Sequence, residues 1–252
     1  MLGSDRLGSA VLVNVICIKW GDKYPALYVN KLYGMVRRHL KREHRFICFT
    51  HEERGDIRPE VELMPYPPIS LPHKQRDYPW RKVSLFARPL GDLVGPTLFL
   101  DLDVLITGSL DDFFDYLPGE FCVAENWTTP GTGIGNTSVY RFEAGKYPDL
   151  YETFVKDPAA IIGTYDNSQT FVTRYLGGRV HFWPKQWVVS FKVNCVPTFL
   201  LRPFVTPKLP TGARIVAFPG NPKMPDAIAG RWPGGPHKFL RKTPWVAEYW
   251  RE

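Results

Sequence analysis

Short apolar runs of four to eight residues alternate along this chain with stretches whose apolar positions recur at three and four, the pattern of strands interleaved with helices. Val11 to Ile18 predicts a first strand, broken by Gly21-Asp22. Pro25 suits the first turn of a helix on which Tyr28, Leu32, Met35, Val36 and Leu40 share a face. Arg37, Arg38, Lys41 and Arg42 gather near its C-terminal end, where the helix dipole favours cations. Arg45 to Thr50 predicts a second strand and Val61 to Met64 a third. A proline-rich loop from Pro65 to Pro72 continues through Asp77. Trp80, Val83, Phe86, Ala87 and Leu90 then mark a second helix. Thr97 to Leu100, bounded by Gly95-Pro96 and Gly108, is a buried strand by length and apolar content.

The second half continues in the same manner. Ser109 is placed to cap a short helix through Tyr116 with Asp111 and Asp112 in its first turn, which gives those acids a structural role. Glu120 to Glu125 and Thr137 to Phe142 predict strands on either side of the glycine-rich loop Pro130 to Asn136. That loop lacks the Gly-Lys-Ser/Thr ending of a P-loop. Leu150 to Val155 predicts a helix. Asp166 opens another through Leu176, with Gln169 three residues on in a capping-box-like pattern. Arg179 to Trp183 and Ile215 to Phe218 predict late strands, and the prolines between Pro184 and Pro210 predict long loops. Strands alternating with helices imply an α/β fold with a mainly parallel, doubly wound sheet. Ligands of such sheets bind beyond the carboxyl ends of the strands.

Composition narrows the classes. The chain has 252 residues, long enough for one full α/β core, and 44% hydrophobic content excludes wholesale disorder. A net charge of +7 suits anionic partners such as nucleotides, nucleic acid or acidic lipid headgroups. Cys17, Cys48, Cys122 and Cys195 form no Cys-x-x-Cys pair, so reduced thiols in a cytoplasmic protein are expected. The apolar run Ala10 to Ile18 is too short to span a bilayer, and Asp5 lies where a signal peptide would be basic.

The chemistry concentrates at Asp101 and Asp103, at the carboxyl end of the Thr97 to Leu100 strand. On extended chain, residues two apart face the same side. Two like charges there, with no basic neighbour in sequence, call for a positive group, and a divalent metal is the simplest. The plainer alternative is a strand end where two aspartates are solvated.

Spaced motifs around this pair resemble the GT-A-fold glycosyltransferases, most closely glycosyltransferase family 8 and its bacterial relatives. The resemblance runs through roughly residues 13 to 224. Asp22-Lys23-Tyr24 is similar to the family's Asp-x-Tyr, which contacts the nucleotide base. Arg81-Lys82-Val83-Ser84-Leu85-Phe86 resembles its basic helix near the donor. Phe99-Leu100-Asp101-Leu102-Asp103 resembles its Leu-Asp-x-Asp metal motif. Gly135-Asn136-Thr137-Ser138-Val139 resembles the Asn-Ser-Gly-Val segment lining the sugar site. Phe218-Pro219-Gly220-Asn221-Pro222-Lys223 resembles the His-x-Gly-x-x-Lys-Pro segment that closes over the diphosphate. The family's late metal-binding histidine falls near Pro219, which offers no lone pair. His181, His237 or water is left to supply that ligand. The family's Asp-Gln pair near the reacting carbon appears as Ser168-Gln169, with Asp166 two residues earlier.

The resemblance implies a single GT-A domain over residues 1–230 and a basic, aromatic tail over 231–252. It implies a retaining transfer from a nucleotide-sugar donor, a UDP-sugar, to a glycan or glycolipid hydroxyl, in cell-envelope synthesis. Mn²⁺ or Mg²⁺ would sit on Asp101 and Asp103. Asp22, Tyr24, Lys82, Asp101, Asn136, Gly220 and Lys223 would bind the donor, and Asp166 and Gln169 would act at the sugar. For the tail, with Trp245, Tyr249 and Trp250, two readings stand: a foot on the inner face of an anionic membrane, or aromatics packed on the domain. Two other functions remain open. A nucleotidyltransferase would also pair carboxylates with metal and phosphates. A nucleic-acid-binding module would suit the charge, but no nucleic-acid motif is present and none is expected as partner.

Overall fold

The computed structural model describes residues 12–235 and 238–252. The chain runs β1 (Val13–Ile18), α1 (Ala26–His39), β2 (His44–Phe49), β3 (Glu62–Met64), a 3-10 helix at Pro79–Phe86, then β4 (Pro96–Leu100) and β5 (Val104–Ile106). Next come α2 (Asp111–Asp115), β6 (Phe121–Glu125), β7 (Gly135–Glu143), α3 (Pro148–Lys156), α4 (Pro158–Thr164) and α5 (Ser168–Leu176). The chain ends with β8 (Val180–Phe182), β9 (Val188–Ser190), β10 (Ile215–Ala217), α6 (Met224–Ala229) and α7 (Pro244–Tyr249). The expected strand start at Val11 lies outside the described residues.

A seven-stranded sheet in the order β3-β2-β1-β4-β7-β6-β8 forms the centre. Its pairings are parallel except at β7, which runs against both β4 and β6. The mainly parallel sheet is as expected from the alternation of strands and helices. Along β1 the side chains alternate between two cores: Val13, Val15 and Cys17 join one, Ile16 and Ile18 the other. Burial on both faces explains why these strands are continuous apolar runs rather than alternating ones.

A smaller sheet, β5-β10-β9, lies beyond the end of β4. β10 pairs antiparallel with β5 and parallel with β9. The Pro184 to Pro210 region, expected as loop, therefore supplies a buried strand, and a π-helical turn at Phe191–Cys195 follows it directly. The helix expected from Trp80 is a 3-10 helix. It ends at Phe86, shortly before Arg88-Pro89, where a residue preceding proline disfavours helical backbone. Its Trp80 still packs inward, stacked on Phe154 with ring centroids 5.6 Å apart.

The C-terminal aromatics pack on the domain. Trp250 meets Tyr28 of α1 edge-on at 5.4 Å and lies under the Lys31 ammonium at 3.7 Å. A Cβ on Gly34 of α1 would come within 2.5 Å of the Glu252 backbone, so the chain end closes on the helix only because that position is glycine. Among the described residues, no helix is long and apolar enough to cross a membrane.

Candidate active site

The extended chain assumed at Asp101 and Asp103 ends at Leu100; Asp101 to Asp103 form the turn between β4 and β5. The two aspartates are held by different sheets. The Asp101 amide donates to Ser138 O of β7 at 2.9 Å, and the Asp103 carbonyl accepts from the Phe218 amide, just after β10, at 2.9 Å. Leu102 between them is buried in the core and pins the turn. Both carboxylates still reach one cavity of about 460 Å³, beyond the carboxyl ends of β1 and β4.

Each carboxylate has its own lysine. The Lys82 ammonium lies 2.6 Å from Asp101 Oδ1 and 2.7 Å from Oδ2, and donates more weakly to Thr137 O at 3.4 Å. Lys223 forms an ion pair with Asp103 and donates to Tyr24 Oη at 2.7 Å and Phe218 O at 3.0 Å. Tyr24 in turn donates to Asp103 Oδ2 at 2.7 Å. Burial and the neighbouring Asp103 charge hold the Tyr24 phenol well above its ordinary range, so it remains a donor. Burial is also the main cause raising the Asp101 carboxyl, with Asp103 adding to it and Lys82 opposing. The positive charge required by the carboxylate pair is thus present in the chain itself, as two lysines distant in sequence.

The loop after β1 brings Trp20, Asp22 and Tyr24 to the cavity wall. The N-terminal end of β7 contributes Asn136, Thr137 and Ser138, and Asn136 Oδ1 is engaged by the Ser138 amide at 3.0 Å. Ser168 and Gln169, at the start of α5, complete one side and Gly220 another. Asp166 is exposed and does not line the cavity. Nor does it cap α5: Asn167 does, accepting from the Thr170 amide at 2.9 Å. An asparagine nearer the helix start does the capping expected of Asp166 and leaves that aspartate in solvent.

Sequence reasoning missed Lys192, in the π-helical turn after β9. A Cβ on Gly220, whose φ is 71°, would come within 3.4 Å of the Lys192 ammonium. Burial, and then the charges of Lys223 and Lys238, lower its pKa, while Asp103 acts in the opposite sense. Among the described residues no carboxylate pairs with it within ion-pair distance. The signal that could have found it is a lone lysine in a mostly apolar run, Val188 to Val196.

As a metal site, the turn offers two hard carboxylate oxygens donors. That chemistry fits Mg²⁺ or Mn²⁺, which are held by one or two carboxylates together with phosphates and water. Among the described residues no group of three or more His, Cys, Asp or Glu side chains is placed to hold an ion. His181 sits on the edge strand β8, 3.7 Å from Glu120, and does not line the cavity. His237 lies outside the described residues. A bound ion would therefore draw its remaining ligands from substrate and solvent and would displace the two lysines.

No protein-family model matches the chain, and no curated protein matches it in sequence. The fold is similar to that of the galactosyltransferase LgtC in complex with donor and acceptor sugar analogs, with 13% identity over 84% of this chain and 88% of that one and a TM-score of 0.58. An active-site mutant of LgtC matches with 13% identity over 84% and 89% of the two chains, at a TM-score of 0.55. The glycosyltransferase GlyE of Streptococcus pneumoniae TIGR4 matches with 16% identity over 69% of this chain and 45% of that one, at 0.51. At these identities the likeness is one of fold. The seven-stranded mixed sheet with its flanking helices is the GT-A glycosyltransferase fold that the spaced motifs resemble.

Proposed function

We propose that the cavity binds a nucleotide-sugar donor, a UDP-sugar by the motif resemblance, and that the protein transfers its sugar to a hydroxyl of a glycan or glycolipid acceptor. The observation that carries this reading is the cluster at the Asp101–Asp103 turn. Two largely buried carboxylates and Lys82, Lys192 and Lys223 gather at the ligand end of a mainly parallel sheet. Transfer breaks the bond between the anomeric carbon and the diphosphate oxygen, and negative charge builds on the departing diphosphate.

A lysine ammonium facing that charge stabilises it as a charge-assisted donor. Lys223 and Lys192 are the residues for this role: Lys223 is paired with Asp103 of the cavity wall, and Lys192 stands beside Gly220, where the backbone can approach a phosphate closely. When phosphate enters, Lys223 exchanges its contact with Asp103 for one with oxygen of the ligand, and Lys82 does the same from Asp101. Asp101 and Asp103 would hold a divalent ion, which when bound supplies Lewis-acid neutralisation of the diphosphate. Trp20 and Tyr24 offer aromatic faces to the base. Gln169 faces the sugar and orients it. The attacking hydroxyl approaches on the face that the diphosphate leaves and passes its proton to the departing diphosphate oxygen as the new bond forms, which gives the retention of anomeric configuration that the same resemblance implies.

Mass spectrometry of products from a panel of nucleotide sugars with cell-envelope extracts tests the reading. A hexose-sized mass gain on an acceptor, with release of a nucleoside diphosphate, is expected. Release of pyrophosphate from a nucleoside triphosphate would overturn it in favour of nucleotidyl transfer.

A further inference from the structure

Among the described residues, the segment following the π-helical turn carries the densest set of exposed large apolar side chains. Leu200 is 79% exposed and Phe204 76%, and Phe199 and Leu201 between and beside them are about half exposed. Four large apolar side chains thus stand in water within six residues, where soluble surfaces ordinarily carry such residues singly. Val193, on the π-helical turn itself, is also half exposed. The segment is fixed rather than loose. The Trp245 indole donates to Pro207 O at 2.9 Å, and Arg202 stacks over the Trp232 ring at 4.8 Å.

The rim of this patch is basic. Arg241 reaches across from the C-terminal segment to donate to Pro203 O at 3.1 Å, and the Lys208 amide donates to Cys195 O at 3.1 Å. Among the described residues, Arg202, Lys208 and Arg241 make no ion pair with a carboxylate. The asymmetry runs through the sequence. Between Asp166 and Asp226 the chain has eight Lys and Arg residues and no acid, and between Asp226 and Glu248 it has four more and again no acid.

We propose that this apolar, basic-rimmed loop seats the protein on an anionic lipid surface. Side chains such as Leu200 and Phe204 enter the headgroup–acyl boundary while the rim neutralises lipid charge, the two contributions that interfacial binding combines. A second copy of the chain is a poorer occupant, because two basic rims would repel at the same contact. The patch is independent of the transfer reading: it lies on the surface beside the π-helical turn, and none of its apolar side chains lines the cavity.

Vesicle flotation of the full chain tests it, with phosphatidylcholine vesicles with and without phosphatidylglycerol. Wild type is expected to float with the anionic vesicles and to detach as salt rises. Leu200→Ser/Phe204→Ser is expected to lower partition by roughly tenfold or more, since two large apolar side chains are withdrawn from the boundary. Both positions are solvent-facing, so its melting temperature is expected to match wild type. Arg202→Gln/Lys208→Gln is expected to weaken binding to anionic vesicles and reduce the salt dependence, with Arg241 left on the rim. Equal partition of the apolar variant and wild type would overturn the proposal. So would failure of wild type to bind either vesicle, or a dimer in sedimentation that the apolar variant dissociates.

Discussion

The Lys82 ammonium sits 2.6 Å from Asp101 Oδ1 in the wall of the cavity, and both side chains are largely buried. Removing one partner of such a pair leaves the other charged and unsolvated, which is far more destabilising than losing a surface pair. Lys82→Met, close in volume, is expected to lower stability by about 3 kcal/mol at neutral pH. The deficit has a pH signature. Burial raises the folded-state pKa of Asp101, and without Lys82 nothing opposes that rise as strongly. The folded variant then holds its proton to higher pH than the unfolded chain does. Its deficit is therefore small in acid and grows as pH rises from the ordinary carboxylate range through the raised folded value. Chemical denaturation across pH checks this, and a deficit independent of pH would remove Asp101 from the explanation.

Asp103 is hydrogen-bonded by Tyr24 and paired with Lys223, so replacing its charge changes the cavity without opening the core. Asp103→Asn is expected to reduce kcat/KM for transfer by roughly 100-fold or more with the circular dichroism spectrum unchanged. Full activity in the folded variant would exclude the carboxylate from catalysis.

Lys223 is expected to distinguish ligands that carry phosphates from those that do not. Lys223→Ala should weaken UDP binding by roughly 1.5–3 kcal/mol, the range of a charge-assisted hydrogen bond, and leave uridine binding nearly unchanged. Equal losses for the two ligands, measured by calorimetry, would place the lysine elsewhere.

Lys192 makes a separate prediction through pH. Its pKa is lowered by burial and by the charges of Lys223 and Lys238. Its attraction for phosphate is therefore present at lower pH and is lost as pH rises through that lowered value, below the usual lysine range. UDP affinity of wild type is expected to fall there, and Lys192→Met to bind more weakly below that pH, to approach wild type above it and to lack that step. An unchanged affinity profile in the variant would remove Lys192 from the diphosphate site.

Much of this architecture was legible from the chain alone because burial on both faces of a parallel sheet writes itself as apolar runs, as in Val13–Ile18 and Pro96–Leu100. The motif order also carried the fold, with Asp22, Tyr24, Lys82, Asn136, Gln169 and Gly220 all at the one cavity. What escaped depended on pairing between distant segments. The turn at Asp101–Asp103 exists because its two ends join different sheets, which no local pattern records. Strand β9 hides among prolines because only three residues, Val188–Ser190, pair with β10. Lys192 comes to Gly220 by tertiary packing, and although Lys223 was expected at the diphosphate, no local pattern records the Asp103 carboxylate that it faces. The choice of Asn167 over Asp166 as helix cap is a one-residue shift at an element boundary, where local rules are weakest.

The central claim is that the carboxylate turn and its lysines form a nucleotide-diphosphate site that a divalent ion completes only with substrate. Calorimetric titration of UDP with and without Mn²⁺, and of Mn²⁺ with and without UDP, tests it most directly. With Pro219 offering no ligand and the aspartates held by lysines, Mn²⁺ alone is expected to bind weakly. Each ligand is expected to tighten the other by the same factor, as linkage requires. Tight Mn²⁺ binding without nucleotide would contradict the account, and so would failure of UDP to bind under either condition.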